Sequence, residues 1–194
     1  KFIPVSHEGL QRIHYKGGAD VVALYLRNTP KSKLFDGKSL ILGGSHSPNY
    51  NLAGSLVGDL SAILIENINP FANLVRVPAK KTALLSDFEV KRDRIAQETL
   101  GKNVTNISGV PSWMLSVLVR IMELSGKEHL EEVWPNLEVF FHGGIAFTPY
   151  RKQYEKLITK SDMHYMETYN ASEGFFGIQD DPSDSSMLLM IDYD

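Results

Sequence analysis

Apolar positions along the chain switch between two periods. From Ser6, which can cap a helix, Leu10, Ile13, Val21, Leu24 and Tyr25 follow the three- and four-residue spacing of one helical face. Gly17-Gly18 is expected to weaken that helix midway. Ser39 to Leu42 reads as a short strand running into Gly43-Gly44, and residues 43–60, rich in Gly, Ser and Asn, read as a loop followed by a short helix. Ser86 and Glu89 have capping-box spacing, which predicts a helix from Ser86 to Leu100 with Gly101 at its exit. Val104 to Ile107 is a strand. Pro111 then opens a helix through Trp113, Met114, Leu118 and Ile121 that closes at Gly126. A short amphipathic helix around Leu130 follows. Leu137 to Phe141 is a strand ending in His142-Gly143-Gly144, and Thr148 with Pro149 starts a helix to about Thr159. His164 to Thr168 is a strand that ends in Tyr169-Asn170-Ala171-Ser172-Glu173-Gly174. Strands Phe175–Gln179 and Met187–Tyr193 close the chain around an acidic turn, Asp180 to Asp184.

This alternation predicts an α/β fold, a mostly parallel sheet flanked by helices, with an antiparallel hairpin at the C-terminal end. In open α/β sheets ligands bind beyond the carboxyl ends of the strands. Two predicted loops leave such ends: His142-Gly143-Gly144-Ile145-Ala146 and Tyr169 to Gly174. Paired glycines let backbone approach a flat ring and turn amides toward an anion. Tyr169 offers a ring face, Ser172 a hydroxyl for a phosphate oxygen, and Glu173 a hard oxygen ligand for Mg²⁺. Each feature also has a plain reading. Gly143-Gly144 can be only a turn, and Ser172-Glu173 only a cap.

Composition narrows the classes. With 20 basic and 23 acidic residues the net charge is −3, which lacks the basic excess of a nonspecific nucleic-acid binder. There is no cysteine, so disulfides and thiolate chemistry are excluded. No apolar run approaches the roughly 20 residues of a membrane span, and no signal peptide is visible. A cytoplasmic protein is therefore expected, and the Asn-x-Ser/Thr matches at Asn103, Asn106 and Asn170 read as chance. Trp113 and Met114 read as core, with the wall of an acyl pocket as the alternative, and Lys80-Lys81 and Lys91-Arg92 read as solvated faces. His142 reads equally as a ligand contact or a loop support. His164 and Glu167 point to opposite faces of a strand, a poor metal pair.

Tyr169-Asn170-Ala171-Ser172-Glu173 resembles the Tyr-x-x-(Ser/Thr)-Glu motif of adenylate-forming enzymes, and His142 to Ala146 resembles their Gly-Gly-Ala-type adenine loop. Lys1 to Leu10, with Ser6-His7, is similar to the stretch after their phosphate loop. Lys1 to Ser6, Gly109 to Met114 and Trp134-Pro135-Asn136-Leu137 resemble, more narrowly, the Gretchen Hagen family of auxin-responsive acyl-acid amido synthetases.

The resemblance implies two steps. A carboxylic acid and MgATP give an acyl-adenylate and pyrophosphate, and an amino acid's amine then takes the acyl group, releasing AMP. It implies that His142, Gly143, Gly144, Ile145, Ala146, Tyr169, Asn170, Ala171 and Ser172 surround ATP, with Tyr169 stacked on adenine. Ser172 would meet the α-phosphate, and Glu173 would hold Mg²⁺. It further implies that residues 1–194 are one fragment of a large N-terminal adenylation domain. The phosphate loop would lie before residue 1 and a C-terminal lid domain beyond the chain, so this piece would be inactive alone. Partners would be a small carboxylic acid and an amino acid, with no nucleic acid and no membrane. An acyl-CoA ligase-type enzyme and a noncatalytic interaction remnant are the alternatives.

Overall fold

The computed structural model describes residues 2–47 and 54–191. Within them, seven strands form one sheet: β1 (Lys38–Ile41), β2 (Arg76–Val77), β3 (Val104–Gly109), β4 (Val139–Gly143), β5 (His164–Ala171), β6 (Gly174–Ile178) and β7 (Leu188–Leu189). Their spatial order is β2-β1-β3-β4-β5-β6-β7. Pairing is parallel from β2 through β5, and β6 and β7 add antiparallel. The expected parallel sheet with an antiparallel C-terminal end is what the chain forms.

Seven α-helices accompany the sheet: α1 (His7–Gly9), α2 (Lys16–Asn28), α3 (Leu60–Asn67), α4 (Lys80–Ala83), α5 (Phe88–Thr99), α6 (Pro111–Ser125) and α7 (Arg151–Leu157). β4 shows why the chain forms layers. Alternate side chains of a strand face opposite ways. Phe140 therefore packs with α5, α6 and α7 among Ile95, Leu118 and Tyr154, while Val139 and Phe141 pack with Val21 and Tyr25 of α2. All are buried, as the middle strand of a parallel sheet requires.

Ser6 accepts a hydrogen bond from the Gly9 amide and opens the first helix as expected. The predicted weakening at Gly17-Gly18 does not occur. Instead the helix passes through a π-helical stretch, Leu10–Tyr15, and continues to Asn28. Gly17 serves packing, because a Cβ there would lie 2.4 Å from the Phe175 ring. The C-terminal end of α2 is tied to the far end of the chain. Tyr25 Oη lies 2.9 Å from His164 Nδ1, and Asn28 donates to the Asp180 carbonyl at 2.9 Å.

Several boundaries move. Asp87, not Ser86, caps α5, accepting from the Val90 amide. Thr148-Pro149 form a turn, and α7 starts at Arg151 behind Tyr150. The stretch around Leu130 is a single 3₁₀ turn, Leu130–Glu132. Most consequentially, Tyr169, Asn170 and Ala171 are not loop. β5 runs through them, and Ser172-Glu173 alone form the tight turn into β6. A single sequence shows the polar run but not the strand partner that keeps it extended. The last strand, expected from Met187 to Tyr193, is only Leu188–Leu189 among the described residues, and Lys1 and residues 48–53 and 192–194 lie outside them.

Candidate active site

The carboxyl ends of β1, β3, β4 and β5 open on one cavity of about 940 Å³. Gly143, Gly144, Asn170, Ala171, Ser172 and Glu173 all line it, as does His142. The two sequence motifs therefore face one crevice, because both leave carboxyl ends of adjacent parallel strands. Tyr169, Ile145 and Ala146 are not among the lining residues. Tyr169 is exposed, with its ring 5.2 Å from that of Phe176.

Glycine is required at both positions of the β4 end. Gly144 has φ +83°, which disfavours any side chain, and a Cβ on Gly143 would lie 2.4 Å from the Thr168 carbonyl oxygen. The backbone thereby reaches the cavity with no side chain in the way. His142 precedes the pair. Its ring is buried and stacked on Phe147 at 4.3 Å, and Nδ1 has no hydrogen-bond partner. Burial, with the nearby Arg151 charge, lowers its pKa to about 4, so the ring is neutral at pH 7. Ser172 is half-buried and Glu173 exposed in the turn.

The facing wall consists mostly of residues outside the two loops singled out in the sequence. Asp59 and Ser61 line the cavity and hold the strand end of β1. Asp59 accepts from the Ser45 amide at 3.0 Å, and Ser61 accepts from the Gly44 amide at 2.8 Å. Lys91, expected to be solvated, is buried, and its Nζ donates to the carbonyls of Gly43 and Gly44. Its place in a charged run, Lys91 to Asp93, hid this role. Of the two readings for Trp113 and Met114, Trp113 follows the second, 41% exposed and lining the cavity, whereas Met114 beside it is fully buried in the core. His14 also lines the cavity and is buried. The rest of the surface is mainly apolar, supplied by Val21, Val22, Ile41, Leu64, Ile65 and Phe141 among others.

A polar rim beside an apolar hollow can accept an anion-bearing molecule at one end and a hydrocarbon or aromatic body at the other. Ser172 is a hydroxyl donor, Glu173 a carboxylate on the same turn, and Gly143-Gly144 a bare backbone edge. These groups fit a nucleotide phosphate with its divalent cation. Among the described residues no cluster of three or more His, Asp or Glu could hold a metal by itself, so a cation here would take most of its ligands from phosphate and water. Among the described residues no helix is long and apolar enough to cross a membrane.

Residues 1–163 match the family model described as the GH3 family N-terminal domain. Among solved structures, GH3.15 acyl acid amido synthetase aligns with a TM-score of 0.71 at 15% identity, over 97% of this chain and 43% of that one. A second, AtGH3.15 acyl acid amido synthetase in complex with 2,4-DB, aligns with a TM-score of 0.68 at 16% identity, over 97% and 42%. The present chain thus spans less than half the length of these structures, and at such identity the likeness is one of fold. By sequence, none of the curated proteins compared with the chain matches it.

Proposed function

Since the chain belongs to the GH3 family, we propose that it forms the ATP- and acid-binding part of an acyl acid amido synthetase. A carboxylate oxygen of the acid attacks the α-phosphorus of ATP, and pyrophosphate leaves. An amino acid's amine then attacks the acyl carbonyl, so that an amide forms, the amine loses a proton and AMP departs. Neither step needs a side-chain nucleophile. Both need alignment and charge neutralisation.

Support comes from one arrangement above all. The bare backbone after β4 and the Ser172-Glu173 turn after β5 border the same cavity, whose remaining wall is apolar. In this reading Gly143 and Gly144 lie beside adenine, with His142, Asn170 and Ala171 around the nucleoside. Ser172 donates to the α-phosphate, Glu173 is the carboxylate for Mg²⁺, and Trp113 faces the acid. The cation, when bound, offsets phosphate charge. Tyr169 lies outside the cavity wall, and in this reading it reaches adenine only by turning away from Phe176. Ile145 and Ala146 would form the outer edge of the adenine loop. Catalysis is assigned to the full-length protein that carries this chain.

The test is acid-dependent exchange of labelled pyrophosphate into ATP by that protein, with a panel of aryl and alkyl carboxylic acids. Exchange that requires both an acid and Mg²⁺ is expected. A folded full-length protein that exchanges with no member of the panel overturns the proposal.

A further inference from the structure

The hollow below the strand ends is not apolar throughout. Ser39 on β1 and Asn106 and Ser108 on β3 all line the cavity. Ser39 lies directly beside Asn106 in the sheet, and Ser108 stands two residues further along β3, between Ile41 of β1 and Phe141 of β4. Around them the walls are apolar, with Val21, Leu34, Phe35 and Leu64 among them. Asn106 is three residues short of Gly109, where β3 ends, which sets it about 10 Å below the strand end. It is only 3% exposed.

A bulge builds this floor. Lys38 pairs with Val104 and Ser39 with Asn106, so Thr105 has no partner residue on β1. Consecutive strand residues ordinarily face opposite ways. Here both reach the Leu34 carbonyl, Thr105 Oγ1 donating to it at 2.6 Å and Asn106 Nδ2 at 3.4 Å. Bulges gather beside active sites, where they re-aim a side chain. The same bonds fix which way the carboxamide faces. Thr105 Oγ1, its proton given to Leu34, accepts from Asn106 Nδ2 at 3.2 Å. Two acceptors on one side require the NH₂ group there, and a flipped amide would set oxygen against oxygen. Asn106 Oδ1 is therefore turned away from both. Among the described residues no group donates to it, and the hydroxyls of Ser39 and Ser108 have no partner either. Buried polar groups are seldom left unmatched. Here an open acceptor stands at the floor of an apolar cavity with a hydroxyl beside it.

We infer that the acid taken up by this site carries a hydrogen-bond donor, a hydroxyl or N–H, at the end of its apolar body remote from the carboxyl group, and that Asn106 and Ser39 select for it. The inference rests on the reading of the hollow as the acid's place. The carboxylate stays at the rim with Ser172, the body lies against the apolar walls, and the donor meets Asn106 Oδ1. An acid that lacks the donor drives water from the floor and leaves the carboxamide oxygen unpaired, which is how such a site discriminates.

The experiment measures pyrophosphate exchange by the full-length protein with phenylacetic, phenylpropanoic and cinnamic acids, each bare, with a para hydroxyl, and as the para methyl ether. Reach differs along the series. At one length or more, kcat/KM is expected to be roughly 10–100-fold higher for the hydroxyl than for the bare acid, and the ether, which cannot donate, is expected to lose that gain. Asn106→Leu is expected to erase the preference and Ser39→Ala to reduce it. The quantity read is a ratio between two acids in one protein, so a variant that is only less stable leaves it unchanged. Ser39→Ala removes a hydroxyl with no protein partner and is expected to fold as wild type does. Equal use of hydroxyl and bare acids at every length overturns the inference. So does a preference that survives in Asn106→Leu or, should that variant not fold, stands undiminished in Ser39→Ala. When bare acids exchange and hydroxyls bring no gain, the acid-activating reading stands and only this inference falls. When no acid supports exchange, that reading falls and takes the inference with it.

Discussion

Lys91 Nζ donates to the Gly44 carbonyl at 2.9 Å and to the Gly43 carbonyl at 3.3 Å, from a side chain that is almost wholly buried. Burial lowers the lysine pKa, and Asp59 partly offsets this. A cation beneath two carbonyls, with a carboxylate holding the next amide, fixes the strand end that walls the cavity. Lys91→Met keeps the bulk and removes the donor. It is expected to cost about 1–3 kcal/mol, the penalty for leaving buried acceptors unmatched. A urea midpoint unchanged from wild type would show that the loop is held by Asp59 and Ser61 alone.

His142 makes stability pH-dependent. Its folded pKa of about 4 lies below the ordinary 6.5, so between these values the unfolded chain binds more protons. Stability therefore rises with pH across that window and is lost as pH falls from 6.5 toward 4. The full effect is on the order of 3 kcal/mol. His142→Phe, which can keep the stack on Phe147, is expected to flatten this acid limb relative to wild type. Denaturant midpoints measured from pH 4 to 7 decide it, and parallel curves for the two proteins would refute it.

The two glycines after β4 are expected to fail differently. Gly144→Ala meets only the backbone penalty of its left-handed φ, roughly 1–2 kcal/mol. Gly143→Ala drives a methyl into the Thr168 carbonyl that pairs the strands, and so costs more. Amide exchange should speed up at the β4–β5 end in the Gly143 variant and stay near wild type in the Gly144 variant. The reverse order would mean that the strands can part there easily.

For the full-length protein, Glu173→Gln should lower acid-dependent exchange by about 10²–10³, the loss expected when one preorganised electrostatic contact goes. Because Glu173 is exposed, melting should not change. Near-wild-type exchange at limiting Mg²⁺ would remove Glu173 from the metal.

Trp113 reports on the acid end. It lines the cavity at the start of α6 with much of its ring uncovered, so Trp113→Ala should raise the KM for the acid several-fold with little change in the KM for ATP. Acid binding should also perturb its fluorescence. An effect confined to ATP would place the apolar hollow in another role.

The layers of this fold were legible because their signals are local. Pro111 and Gly126 mark both ends of α6, and the apolar run Val139-Phe140-Phe141 marks the central strand. Gly143-Gly144 and Ser172-Glu173 were legible as well, since polar and glycine runs at strand ends are where a parallel sheet exposes backbone. Lys91 was not, because its role depends on Gly43 and Gly44, which the fold and not sequence spacing brings to it, and Trp113 was legible only as the second of two readings. Tyr169 was misplaced as loop for the same reason, because only the pairing with Gly177 across β6 extends β5 that far.

The grip of the first helix on the hairpin has a kinetic side. Gly17, Tyr25 and Asn28 find their partners at Phe175, His164 and Asp180, contacts of large sequence separation that seat the helix on the C-terminal strands. Contacts of this kind form late, after local helices and neighbouring strands. During synthesis the helix precedes both β4 and β6, and its apolar face stays partly uncovered until each has left the ribosome. The waiting helix is therefore where a slow or interrupted chain would be captured by a chaperone or by another copy of itself.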